Sequence, residues 1–308
     1  MQFIEALQNR KLEALRNIPK SDLHNHATRG GNIRDFIKDI DLPKRDFKNL
    51  DEMQYWYVSN VKRLFRGREG FISRVESAFR QAQNDGVIRL VLSFGIGDSI
   101  HFKSVEEYFN AISQLHQTIA PEIDFIPELC FGLTPDIKPV EEMFDEVLSY
   151  NFFKSIDLVG NDRDPVSNYK HIYRRAKSNG MILKAHLGEF GDADSILKGV
   201  EELELEEVQH GISAVNSTDV MTYLRNNDVQ LNICPSSNVM LNRVTSYKEH
   251  PIKELFHFGI RVTINSDDML IFDQSVSQEY LNLFESGCMS AHDLNIVRLS
   301  GLNPSSTV

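Results

Sequence analysis

Ser21-Asp22-Leu23-His24-Asn25-His26 is the stretch on which the reading of this chain turns. Alternate residues of a β-strand point to the same face, so a strand over 21–26 presents the imidazoles of His24 and His26 side by side. A His-x-His pair is common on surface strands and says little alone. Four later segments change its meaning: Lys184-Ala185-His186-Leu187-Gly188-Glu189, Gln209-His210-Gly211, Cys234-Pro235-Ser236-Ser237-Asn238 and Asn265-Ser266-Asp267-Asp268. A third histidine and a carboxylate each follow an apolar, β-rich run. Three nitrogens and one oxygen suit a borderline cation such as zinc.

Residues 2–18 carry Phe3, Ile4, Leu7, Leu12, Leu15 and Ile18 at roughly helical spacing, which predicts one leading amphipathic helix ended by Pro19. Residues 50–84 read as two helices broken near Gly67 and Gly70. They form the body of a helical lid insertion over about 32–84, between the first two strands. Its Tyr55, Trp56, Tyr57 and Phe65 either cover a pocket or pack the insertion against the barrel. Short apolar runs near 22, 90, 127, 157, 183, 208, 231 and 262 alternate with helical stretches. Eight such strands fit an α/β fold, a (β/α)8 TIM-like barrel in a single domain over 1–308. Active sites of such barrels lie at the C-terminal ends of the strands. Here those ends carry His24 and His26, His186, His210 and, after strand eight, Asp267, so all of them converge on one mouth.

The 308 residues, 41% hydrophobic and 25% charged, are enough to bury a large core. A formal charge of −11 excludes a general nucleic-acid or anionic-membrane surface, and leaves room for a small anion held by a few local cations. Cys130, Cys234 and Cys288 show no Cys-x-x-Cys spacing and read as reduced thiols of an intracellular protein. No uninterrupted apolar core marks a signal peptide, and no run approaches the ~18 apolar residues of a membrane span. The expectation is a soluble, cytoplasmic protein whose oligomeric state the sequence leaves open.

The order of these motifs, from Pro19-Lys20-Ser21-Asp22-Leu23-His24-Asn25-His26 to Asn265-Ser266-Asp267-Asp268-Met269-Leu270-Ile271-Phe272, resembles the adenosine deaminase branch of the amidohydrolase superfamily. The His-x-Gly-Glu and Asp-Asp pieces are specific to that branch when found together. The resemblance implies a TIM-like barrel that hydrolytically removes an amino group from a purine, a small-molecule partner. It implies a single Zn2+ ion held by His24, His26, His186 and Asp267. Such a metal lowers the pKa of a bound water from 15.7 to about 7, and the resulting hydroxide attacks C6 with release of ammonia. Glu189 resembles the family glutamate that delivers a proton to purine N1, a task suited to a carboxylate in the turn after strand five. His210 resembles the histidine that orients and deprotonates the water and stabilises developing charge. Asp268 resembles the aspartate that hydrogen-bonds purine N7, and Gly160, in Ser155-Ile156-Asp157-Leu158-Val159-Gly160-Asn161-Asp162, the glycine whose amide reaches N3. Strand four ends without a lysine, so a carbamylated bridge to a second metal is not expected.

The chain departs from the pattern where nucleoside-specific members carry leucine and then an acid just after His-x-His. Ala27 and Thr28 stand there, followed by Arg29. Losing a carboxylate and gaining a cation makes Thr28 and Arg29 candidate substrate contacts, and leaves base, nucleoside and nucleotide all open. Gln209 replaces the usual glycine before the strand-six histidine, and Met269 the usual proline after the Asp pair. Two other readings stand beside deamination: an amidohydrolase of another amidine or amide substrate, and a catalytically silent purine-binding relative. A binder has no need of the complete set of ligands, glutamate and histidine. The histidines at 101, 116, 171, 250, 257 and 292 have no partner at ligand spacing and receive no function.

Overall fold

The computed structural model describes residues 2–42, 47–134, 136–160 and 166–303. Eight parallel strands follow one another in sequence order around a barrel. They are β1 (Lys20–Asp22), β2 (Val87–Gly95), β3 (Asp124–Gly132), β4 (Ser155–Val159), β5 (Ile182–Leu187), β6 (Glu207–His210), β7 (Gln230–Ile233) and β8 (Val262–Ile264). Parallel neighbours require crossovers, and helices supply them on the outside. The eight runs counted in the sequence are these eight strands.

The first strand is shorter than the sequence suggests, and the reason is the barrel seam. Past Asp22 the chain leaves β1 and bridges elsewhere, Asn25 to Asp267 and His26 to Ser93. Asp267 N–H donates to His24 O at 2.9 Å, and Leu23 N–H to the Asn265 side chain at 2.7 Å. The backbone that closes the last strand onto the first is therefore the backbone that carries the histidine pair and the aspartate.

The leading helix is two, α1 (Phe3–Gln8) and α2 (Leu12–Arg16). Arg10 takes a left-handed φ of 51°. Arg10 N–H bonds Leu7 O at 2.9 Å and Lys11 N–H bonds Ala6 O at 3.0 Å, a Schellman stop that helical spacing alone does not reveal. Farther on, α3 (Leu50–Asn60) and α4 (Gly67–Asn84) are separated over 61–66, ahead of the two glycines. Both glycines belong to α4. Gly70 packs so closely that a Cβ there would lie 2.3 Å from the Phe65 carbonyl carbon.

Apolar side chains fill the layer between strands and helices, from Phe79, Leu90 and Leu129 round to Leu231 and Ile264. The barrel interior is polar. Lys184 reaches Glu128 at 3.2 Å and Glu207 at 3.1 Å, and Asn232 donates to Glu207 at 2.7 Å and to Gln209 at 2.9 Å. Thr263 donates to Asn232 at 2.8 Å. Burial alone would strip the proton from Lys184, but the two glutamates hold its pKa above the ordinary range. No helix among the described residues is long and apolar enough to cross a membrane.

Candidate active site

Two imidazoles from opposite sides of the barrel meet at its C-terminal mouth. His24 Nε2 and His186 Nε2 lie 3.1 Å apart. The Nδ1 of His24 faces Asn232 O at 3.2 Å, with Cys234 Sγ at 3.3 Å. The Nδ1 of His186 faces the Asp157 carboxylate at 3.0 Å. A carbonyl and a carboxylate can only accept, so each ring donates from Nδ1 and turns its Nε2 inward. Two ring nitrogens that close share either a proton or a metal cation. Asp267 Oδ1 is 3.7 Å from His24 Nε2 and 3.4 Å from His26 Nε2. Tetrahedral zinc with bonds of about 2.0–2.1 Å has ligand–ligand edges of about 3.3 Å, close to these three separations, and the donor atoms of His24, His26 and His186 all lie within 4.8 Å of one another, so the cluster suits such an ion.

The charges of the cluster agree with that chemistry. Burial drives His24 down to about 3, so its ring is neutral at pH 7. His26 loses by burial but gains more from Asp267 and Asp268, which lift it to about 9. Asp267 is held well below the ordinary carboxylate range: burial opposes this, and the surrounding histidines outweigh it. His26 and Asp267 thus form a charged pair whose proton a metal would displace. Asp267 and His210 both adopt left-handed φ, 57° and 63°. Such backbone costs about 1–3 kcal/mol per residue and clusters at functional sites.

His210 Nε2 is 3.5 Å from Glu189 Oε2 and 3.9 Å from Asp267 Oδ2. Its other nitrogen has a supporting chain behind it that residue spacing does not reveal. Ile252 N–H donates to His250 Nδ1 at 3.1 Å, which makes Nδ1 an acceptor. Burial pushes His250 down to about 3, so this neutral ring keeps its proton on Nε2 and gives it to Asn238 Oδ1 at 3.2 Å. The amide of Asn238 must then donate to His210 Nδ1, at 3.3 Å. Burial holds His210 neutral too, so its one proton sits on Nε2, the atom facing Glu189. This gives a purpose to Asn238 in the Cys-Pro-Ser-Ser-Asn segment and to His250, which sequence spacing leaves without a partner. Asp157 was also missed; its alternation with Ser155 along β4 was the only signal.

These groups open onto a cavity of about 350 Å³. His26, His186, Glu189, His210, Asp267, Asp268 and Gly160 line it, as do Thr28 and Arg29. Asp268 accepts from Arg29 at 2.9 Å through Oδ2, while its buried Oδ1 has no partner among the described residues. Arg29 also donates to Gln54 at 2.9 Å, so both arms of its fork are engaged. Gly160 has φ 146°, a conformation closed to L side chains. The tail of its quoted segment, Asn161 and Asp162, lies outside the described residues. Of Tyr55, Trp56, Tyr57 and Phe65, only Tyr57 faces the cavity. Trp56 packs on Phe47 and Phe65 on Phe36, with ring centroids 6.4 and 4.6 Å apart, and Tyr55 is exposed.

The family model described as adenosine deaminase matches residues 148–305, from the end of the helix before β4 onward. The chain belongs to the adenosine deaminase family. Similarity to proteins named as adenosine or adenine deaminases spans most of the chain. The chain is 28% identical over 287 residues to a protein of Treponema pallidum provisionally named an adenosine/adenine deaminase, covering 91% of this chain and 96% of that one. It is 35% identical over 172 residues to the adenosine deaminase of Clostridium acetobutylicum, 54% of this chain and 52% of that one. The crystal structure of adenine deaminase from Arthrobacter aurescens superposes with a TM-score of 0.81 at 22% identity, covering 94% of each chain, and so shares the fold. Membership makes this chain a metal-dependent amidohydrolase and a hydrolytic deaminase of aminopurines.

Proposed function

We propose that the chain deaminates a 6-aminopurine hydrolytically with one zinc ion, held by His24, His26, His186 and Asp267. The observation that carries this reading is the pair of inward-facing Nε2 atoms 3.1 Å apart, each ring fixed by an acceptor behind it. When bound, the ion supplies an acidified water, its pKa lowered from 15.7 to about 7.

The chain's own residues do the rest. Glu189 holds a proton and passes it to ring N1 as C6 becomes tetrahedral; the exocyclic amine then takes up the proton of the hydroxyl added at C6 and departs as ammonia, leaving an oxopurine protonated at N1. His210 gives its Nε2–H to the negative charge forming at C6; the relay through Asn238 and His250 supports this donor role over that of a base. Asp268 meets the five-membered ring at N7 with its unpartnered Oδ1, and Arg29 fixes that carboxylate from behind. The Gly160 amide meets N3, where a side chain would crowd the ring. Thr28 borders the part of the cavity open to whatever the purine carries.

Ammonia release from adenine, adenosine and adenosine 5′-monophosphate tests the reading, with zinc content measured alongside. His186→Ala is expected to lose bound zinc and turnover together. A wild-type protein grown with zinc that holds no stoichiometric divalent metal refutes it.

A further inference from the structure

Arg74, on α4, is only 5% exposed. Its Nε donates to Gly70 O at 3.1 Å and its Nη1 to the Tyr57 hydroxyl at 2.8 Å, both neutral acceptors. Among the described residues no carboxylate pairs with it. Lys184 has Glu128 and Glu207, Arg29 has Asp268, and Lys20, whose ammonium donates to the Leu15 and Asp85 carbonyls away from the cavity, has the Asp85 charge nearby. A charge removed from water without a counter-charge is strongly unfavourable, so a buried guanidinium bordering a cavity calls for an anion from outside.

Arg74 does not stand alone. It lines the cavity that contains the histidines, and Lys62, solvent-exposed in the turn between α3 and α4, lines it too. Arg29 lies over the Tyr57 ring, 4.4 Å from its centroid, so Tyr57 sits between two guanidiniums. Away from the metal-binding end, Asp98 is the acid on the cavity lining. At about 350 Å³ the space is of the size that takes a whole small ligand, not only a ring.

We infer that the cavity binds a 6-aminopurine carrying a phosphate, a purine nucleoside 5′-monophosphate, whose phosphate pairs with Arg74 and Lys62 while the amine faces the histidines. This rests on the aminopurine reading above and names its substrate class. With Nε on Gly70 and Nη1 on Tyr57, Arg74 keeps its Nη2 hydrogens for a phosphate oxygen, and the pairing supplies the counter-charge that the fold leaves out. A neutral nucleoside would leave Arg74 uncompensated in the closed complex. Arg29 adds to the local field, but its fork remains on Asp268 and Gln54.

The product complexes test this without turnover. Titration calorimetry on the zinc-loaded protein compares inosine 5′-monophosphate with inosine at low and high salt. The nucleotide is expected to bind about tenfold tighter or more at low salt, with the advantage shrinking as salt rises. The ratio of the two affinities should fall about tenfold in Arg74→Met and about threefold in Lys62→Gln. Arg74→Lys should restore part of it. Lys62 is exposed, so its variant reports even where Arg74→Met fails to fold. Equal affinity for nucleotide and nucleoside, or variant losses that are the same for both, overturns the inference. Deamination of adenosine with no preference for its 5′-monophosphate overturns it and leaves the deaminase reading intact. Absence of ammonia from every aminopurine overturns both.

Discussion

Asp157→Asn is expected to weaken zinc binding by about 10- to 100-fold while leaving turnover of the zinc-saturated protein nearly intact. The Asp157 carboxylate is completely buried, and its two oxygens lie 3.0 and 3.2 Å from His186 Nδ1. Burial would raise its pKa, but His186 beside it holds it below the ordinary value. Asparagine has the same shape and keeps one acceptor, so the ring stays oriented with Nε2 turned inward. What disappears is the negative charge behind the ring, which makes His186 a more basic ligand. Ten- to 100-fold corresponds to about 1.4–2.7 kcal/mol, roughly the worth of a charge-assisted hydrogen bond less that of a neutral one. Asp157→Ala is less informative, because an unsatisfied buried N–H adds about 1–3 kcal/mol of instability to the loss of affinity. Competition against a chelator of known affinity gives the dissociation constant, and kcat is then measured at full zinc occupancy. Zinc affinity within twofold of wild type refutes the reasoning. So does a hundredfold loss of kcat in the fully loaded variant, because Asp157 would then act on the reaction by another route.

Glu189→Gln should keep its zinc and lose about 10²–10⁴-fold in kcat, since an amide cannot deliver the proton; near-normal kcat in a zinc-replete variant removes Glu189 from the mechanism. Gly160→Ala forces a side chain into φ 146° and brings a Cβ to 3.1 Å from Leu133, so it should cost about 1–3 kcal/mol of stability and raise KM with zinc content unchanged. Chemical denaturation and steady-state kinetics read the two effects separately. His250 titrates near 3 in the fold against an ordinary 6.5, so between those values the unfolded chain binds a proton that the folded chain refuses. Its contribution to stability is complete above about pH 6.5 and is lost as pH falls toward 3, at up to about 1.4 kcal/mol per pH unit. Urea midpoints from pH 7 to 4.5 should therefore fall less steeply for His250→Gln than for wild type, and parallel slopes would show that His250 is not the group responsible.

The strands were legible because their signals are local. Apolar runs such as Val87–Phe94 and Val229–Ile233 announce themselves within a few residues, and the active-site residues stand at their ends. The first strand and the leading helix were drawn too long for a related reason. His24 and His26 continue the alternation of β1, but their backbone bridges Asp267 and Ser93, and Arg10 stops α1 by a left-handed turn that any residue pattern can hide. Of the aromatic residues from which the helical lid is read, Tyr57 lines the cavity while the other three face neighbours within the insertion or solvent; Leu50, Met53, Gln54, Lys62 and Arg74 make up the rest of the insertion's share of the lining.

By itself the sequence determined the number and order of the strands and the order in which nitrogen and oxygen donors arrive along the chain, since both follow from alternation and from turn residues close by. Only the tertiary structure decided what stands behind each donor. Asp157 and His186 are 29 residues apart, and Asn238 and His210 are 28 apart, on strands and loops that meet when the barrel closes. The proton positions on His186 and His210 depend on those partners, not on the residues beside them in the chain. The same holds for Arg74. Nothing in its neighbourhood along α4 marks it as a buried charge without a counter-ion; that property arises only when α3 and α4 fold over the mouth and exclude the water that would otherwise solvate it.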